Sequence, residues 1–295
     1  MDHKLNKMNR RKFLGQSALV TAGIMVMPKL MLAKTDQKYG LQLFSLREQL
    51  PKDVKGVIAK VAEAGYKQVE TFGYSKEHGF WGLSAADFGK LLKANGLTSP
   101  SGHYGIDTFL SSGQIGDLDD AIEAATILGQ NYVTVPYIGP NLRKSASDFK
   151  SISNWINVAS QRVHAAGLKL GYHNHNFEFE PVEGQMLLEV LLKSTDPELV
   201  DFEMDVYWVV RAGQNPMEWF NRYPGRFRLI HVKDMDKTDP KLNTEAGSGS
   251  IDYKTMFAQI KDEGVKYYIL EQENFKMDPY ASIAQSNKYL REALR

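Results

Sequence analysis

The chain has 295 residues, with 36 Lys and Arg against 35 Asp and Glu, seven His and no Cys. Its 43% hydrophobic and 24% charged residues exclude a disordered chain, a collagen-like repeat and a disulfide scaffold. A net charge of +1 leaves no basic surplus for nucleic acid, and without thiols any metal must be held by His, Asp, Glu or water.

Residues 1–33 differ from the rest. They hold six basic residues (Lys4, Lys7, Arg10, Arg11, Lys12, Lys29) and one acid, Asp2, ahead of and around an apolar run from Phe13 to Met27. Asn9-Arg10-Arg11-Lys12-Phe13-Leu14 resembles the bacterial twin-arginine export signal, and Met31-Leu32-Ala33 offers a small-residue cleavage site, though Met31 fits it poorly. The competing reading is an amphipathic first helix. Gly, Gln and Ser interrupt the apolar run too often for a permanent membrane span. The expectation is a periplasmic protein beginning near Lys34, with 30 basic and 34 acidic residues.

From Tyr39 onward short apolar strands alternate with amphipathic helices. Gly65, Gly96, Gly129, Gly167 and Gly264 each stand where a helix closes in a left-handed residue just before a strand. Their spacing fits a βα unit of about 32 residues, with Gly225 and Asp196-Pro197 at the two remaining joints. Eight strands are expected, near 40–45, 68–72, 98–104, 132–136, 169–175, 200–206, 228–233 and 267–273. Between them Val54, Val57, Ile58 and Val61, and later Ile152, Trp155, Ile156, Ala159 and Val163, follow helical periodicity, with Ser84 and Ser147 read as N-caps. Eight such units predict a single α/β domain, a (β/α)8 TIM barrel over 34–295. A doubly wound sheet is the runner-up, but no Gly-x-Gly-x-x-Gly turn follows a strand.

In this barrel the active site is built where strands end. Four of the seven histidines, His103, His173, His175 and His231, fall at such ends, with Glu70, Asp205, Lys233 and Glu271. One such residue is as often a packed, hydrogen-bonded side chain as a functional one. His173, Asp205, His231 and Glu271 on consecutive strands are harder to explain that way, because carboxylates packed together repel and a cation resolves the repulsion.

The motifs Gly-Tyr-His-Asn-His-Asn-Phe-Glu-Phe at 171–179, Asp-Val-Tyr-Trp at 205–208, His-Val-Lys-Asp at 231–234 and Ile-Leu-Glu-Gln at 269–272 resemble the sugar phosphate isomerase/epimerase family, the xylose-isomerase-like barrels. The loop Gly-Ser-Gly-Ser-Ile-Asp-Tyr at 247–253 fits the same pattern. The resemblance covers Tyr39–Arg295. It implies one divalent ion (Mn, Co, Zn, Fe or Mg) held by a Glu, an Asp, a His and a Glu on the fifth to eighth strands. Asp205, His231 and Glu271 match the last three. On the fifth strand His173 stands where Glu is expected, so the ligand is His173 or Glu178 reaching back from the loop, with His173 favoured.

A cation bound there would acidify the C–H beside a substrate carbonyl. Glu178, Glu271, His175 and Lys233 are then expected to move protons, and His103, Glu70, Trp208 and Tyr104 to bind substrate, with Phe44 and Phe72 as apolar surface. Without a Gly-rich phosphate cradle or a strand-end Arg pair, the substrate is read as an unphosphorylated keto-sugar or related polyol, handled by an isomerase or epimerase. The alternatives are a lyase or dehydratase acting on a keto-sugar, inosose or 3-keto-glycoside, and a non-catalytic sugar-binding barrel. A homo-oligomer is compatible with the sequence; a nucleic-acid partner is not.

Overall fold

The structure, a computed structural model, describes residues 39–260 and 263–294; the expected export segment lies outside them. Eight parallel strands close into a barrel. They are β1 (Tyr39–Gln42), β2 (Gln68–Thr71), β3 (Thr98–His103), β4 (Tyr132–Val135), β5 (Lys169–His173), β6 (Val200–Asp205), β7 (Phe227–Val232) and β8 (Tyr267–Leu270). Neighbours pair in chain order and β8 returns to β1, as a (β/α)8 TIM barrel requires.

Most strands stop earlier than their apolar pattern suggested. Gln42 ends β1 because its side chain accepts the amide of Phe44 and starts a 3₁₀ turn over Leu43–Leu46. Four of the glycines expected to close helices do so: Gly65, Gly96, Gly129 and Gly167 stand at or directly after the helix cap with φ between 66° and 94°, whereas Gly264, at φ 78°, follows the cap residue Ile260 by four positions. The cap read at Ser147 belongs to Ser145. Its hydroxyl accepts the Asp148 amide while Asp148 accepts the Ser145 amide, a reciprocal box that starts the helix Ala146–Ala165 two residues earlier.

Side chains alternate across each strand. Outward residues such as Val69, Val133, Leu170, Phe202, Ile230 and Leu270 join the main core beneath the helices. The inward set divides by height. Tyr132, Leu229 and Ile269 form a small separate apolar cluster, and above them stand the charged residues of β2, β3 and β5–β8. Gly171 keeps space between the layers: a Cβ there would lie 2.5 Å from Thr134 Oγ1.

Candidate functional site

Strand register brings the polar layer together. His173 pairs with Glu203 across β5 and β6, Asp205 with His231 across β6 and β7, and Gln42 with Glu70 across β1 and β2. His173, Asp205, His231 and Glu271 are all buried, and each offers a ligand atom within 4.8 Å of the others'. His173 Nε2 lies 4.0 Å from Asp205 Oδ2, and His231 Nδ1 lies 3.3 Å from Glu271 Oε2.

This donor set suits a divalent cation. Asp205 Oδ1 caps the helix Val206–Arg211 by accepting the Trp208 amide, while its Oδ2 is buried with no hydrogen-bond partner. A buried carboxylate oxygen left bare is costly, and a cation is the partner its charge calls for. Burial pushes Asp205 up to about 7 against the pull of Lys233. Burial also takes His173 down to about 3, which leaves a neutral ring able to donate a lone pair. Mixed imidazole and carboxylate donors fit Mn, Fe, Co or Zn, with positions left for substrate oxygens.

A second layer lies beneath. Glu203 Oε2 is 3.1 Å from His173 Nδ1, 2.8 Å from His103 Nε2 and 3.2 Å from His231 Nε2. Glu70 Oε2 is 2.6 Å from His231 Nε2, 3.2 Å from His103 Nε2 and 2.8 Å from Gln42 Nε2. Burial opposes the charge on Glu203, yet His231, His103 and His173 together hold its carboxyl well below the usual range. Sequence reasoning passed over Glu203 because Asp205, nearer the end of the same strand, already filled the ligand position the motif implies. Its signal was parity: two residues before Asp205, it must face the same way.

Above the ligands a cavity of about 320 Å³ opens. Its wall includes His173 and Glu271 of the ligand set, His103, His175 and Glu273, with Phe44, Phe72 and Tyr137 as apolar surface. Neither Lys nor Arg is among the lining residues. His175 presents a buried Nδ1 without a partner, and burial keeps its ring well below the ordinary imidazole value. Its ring is stacked on Phe177, with centroids 5.7 Å apart.

Five residues expected to touch substrate sit elsewhere. Glu178 is fully buried, accepting the Tyr172 hydroxyl at 2.9 Å and the His175 amide at 2.8 Å. Both its oxygens are thus engaged in holding the loop after β5, away from the ligands. The Tyr104 hydroxyl donates to Gln130 at 2.7 Å in the core. Glu70 lies in the second layer. Lys233 is completely buried behind the wall, 3.2 Å from Glu271 Oε2 and bonded to Glu273. Burial works against its charge, but Glu271, Asp205 and Glu273 hold it protonated above its ordinary value. Trp208 covers that ammonium, 4.9 Å from the ring centroid, rather than offering a face to the cavity.

Residues 58–294 match the family described as xylose isomerase-like TIM barrel. The chain is similar to a sugar phosphate isomerase/epimerase from Parabacteroides distasonis, with 29% identity over 88% of this chain and 95% of that one and a TM-score of 0.77. A second such structure from the same bacterium shares 30% identity over 86% of this chain and 97% of that one, with a TM-score of 0.75. The inosose dehydratase of Lacticaseibacillus casei is 25% identical over 162 residues, 48% of this chain and 54% of its own length. The chain spans about half the length of the curated relatives it matches.

Proposed function

The chain belongs to the xylose isomerase-like TIM barrel family, and from that premise we propose a divalent-metal-dependent enzyme that removes a proton next to the carbonyl of an unphosphorylated keto-sugar or polyol and returns it as an isomerase or epimerase. The observation that carries this reading is the convergence of His173, Asp205, His231 and Glu271, with Asp205 Oδ2 left bare and with His173 and Glu271 lining the cavity.

These four side chains would hold the ion, which supplies Lewis acidity toward a carbonyl and an adjacent hydroxyl. The protein's part is to orient the substrate and move the proton. Glu271 lines the cavity and is the base. Despite its burial, Lys233 and His231 hold it ionised, well below the usual carboxylate range. Lys233 acts through Glu271 and Glu273, fixing their charge and direction. His175, neutral and with Nδ1 free, holds or returns a proton at a substrate oxygen. Phe44 and Phe72, in edge contact at 5.1 Å, give the non-polar face of a ring a surface that excludes water. A wall without Lys or Arg supports a substrate without phosphate.

A second reading, elimination of water, is favoured by the similarity to inosose dehydratase. It needs the same first step, with His103, whose ring despite its burial is favoured in the protonated form by Glu70 and Glu203, protonating the departing hydroxyl. One experiment separates the two. Purified protein loaded with Mn²⁺ is incubated with keto-sugars and inososes in deuterated water. Deuterium in a product of unchanged composition supports the isomerase, and a product lacking one water supports the dehydratase. Turnover that places solvent oxygen in the product and leaves every carbon-bound hydrogen in place defeats both. Export by the twin-arginine route is part of the proposal, resting on Arg10 and Arg11; their joint replacement by Lys should retain the protein in the cytoplasm, and normal export would refute the route.

A further inference from the structure

Each ligand histidine is held from behind by a carboxylate. The two ring nitrogens of His173 point in different directions, Nε2 toward Asp205 Oδ2 and Nδ1 to Glu203 Oε2 at 3.1 Å. His231 is held the same way, with Nδ1 toward Glu271 and Nε2 on Glu70 at 2.6 Å. A neutral imidazole carries one N–H and one lone pair, so the acceptor behind the ring decides which nitrogen is free to ligate. Glu203 is fully buried and hydrogen-bonds His103 as well as His173. Its placement costs desolvation that packing alone would not require.

We propose that Glu203 is a positioning residue for the metal site, and that His173 and Glu203 act together as one anionic donor. Glu203 fixes the His173 ring with its Nε2 lone pair on the ligand side. Its charge, passed through the Nδ1–H bond, strengthens that nitrogen as a donor. The ring thus delivers to the cation part of the negative charge that a carboxylate in its place would deliver directly. This inference rests on the metal reading above. It adds that the charge at the β5 corner of the site resides one residue layer down, on β6.

The unit makes a prediction that a structural role for Glu203 does not. Glu203→Gln should weaken Mn²⁺ binding by about 10- to 100-fold, measured by equilibrium dialysis on the full chain. Glu203→Asp, which keeps the charge on a shorter arm, should fall between it and the wild type. His173→Glu alone should bind poorly, because its carboxylate would be buried against Glu203. Combined with Glu203→Gln, the same substitution moves the charge from position 203 to 173 and should recover affinity relative to either single variant. Thermal unfolding of each metal-free variant establishes that it is folded, and if Glu203→Gln alone does not fold, the Asp variant and the double variant carry the test. Equal Mn²⁺ affinity in wild type and Glu203→Gln, or a double variant no better than its parents, overturns the inference and leaves the metal reading standing. A wild-type chain that binds no Mn²⁺ overturns both.

Discussion

Along β7 the inward positions run from Leu229 to His231, and from Ile269 of β8 to Glu271 just past its end. One pleat repeat separates apolar packing from ionisable chemistry. In the lower half, Tyr132, Leu229 and Ile269 touch one another and fill the barrel as a core. In the upper half, equally buried positions hold Glu70, His103, His173, Glu203, Asp205 and His231. The lower half stabilises mainly by excluding water, a non-directional contribution, with the Tyr132 hydroxyl donating to buried Asp201 at 2.6 Å at its edge. The upper half must satisfy its polar atoms, and of those left bare there, Glu70 Oε1, Glu203 Oε1, Asp205 Oδ2 and His175 Nδ1, Asp205 Oδ2 belongs to the donor set that suits a cation.

The largest expected effect tests the upper half. Asp205→Ala should abolish stoichiometric metal binding and lower turnover by roughly 10³-fold, while the metal-free variant loses no more stability than the Trp208 cap supplies, about 0.5–2 kcal/mol. Metal analysis of the purified variant checks this, and full occupancy would remove Asp205 from the site. The reverse pattern is expected one layer down. Ile269→Ala should cost about 2–5 kcal/mol of stability, read as a lower unfolding midpoint, while the metal stoichiometry of the folded protein stays at the wild-type value. If Ile269→Ala loses metal as readily as stability, the two layers are not separable and the comparison fails.

A smaller effect tests the loop that carries His175. Burial pushes Glu178 up to about 8 from an ordinary value of 4.5. A carboxyl raised on folding contributes stability that is complete below the ordinary value and is lost as pH rises through the folded one. The wild type should therefore unfold at a lower temperature at about pH 9 than at about pH 6. Glu178→Gln can accept the His175 amide through its oxygen and donate its amide to the Tyr172 hydroxyl oxygen, reversing that bond without a titratable group, so it should flatten that difference. An unchanged pH dependence in the variant would show that Glu178 does not carry the effect.

The barrel was legible because its signals are local: a left-handed glycine before six of the eight strands and one apolar stripe per helix. The strand-end rule also brought His173, Asp205, His231 and Glu271 to notice, since each lies within one residue of its strand's end. The rule failed where the answer depended on depth. Glu203 and Asp205 share a face and differ in height, and their order along the strand does not say how far down the polar layer reaches. Lys233 and Trp208 follow the same pattern as true cavity residues, yet Lys233 turns behind the wall because Glu271 and Glu273 draw it there. Glu178 looked like a free base, but the close turn at Phe177–Phe179 folds it back onto the His175 amide. Pro136, Tyr137, Gly73 and Gly105 enter the cavity wall from loops, whose paths no periodicity describes.

The central claim is that a cation sits in the upper layer, and anomalous diffraction from a crystal soaked in Mn²⁺ tests it most directly. The account predicts one peak per chain among His173 Nε2, Asp205 Oδ2, His231 Nδ1 and Glu271 Oε2, with Glu203 and Glu70 outside bonding distance of the ion. A peak lodged among His103, Glu203 and Glu70, or a crystal in which these four ligands bind no ion, would contradict it.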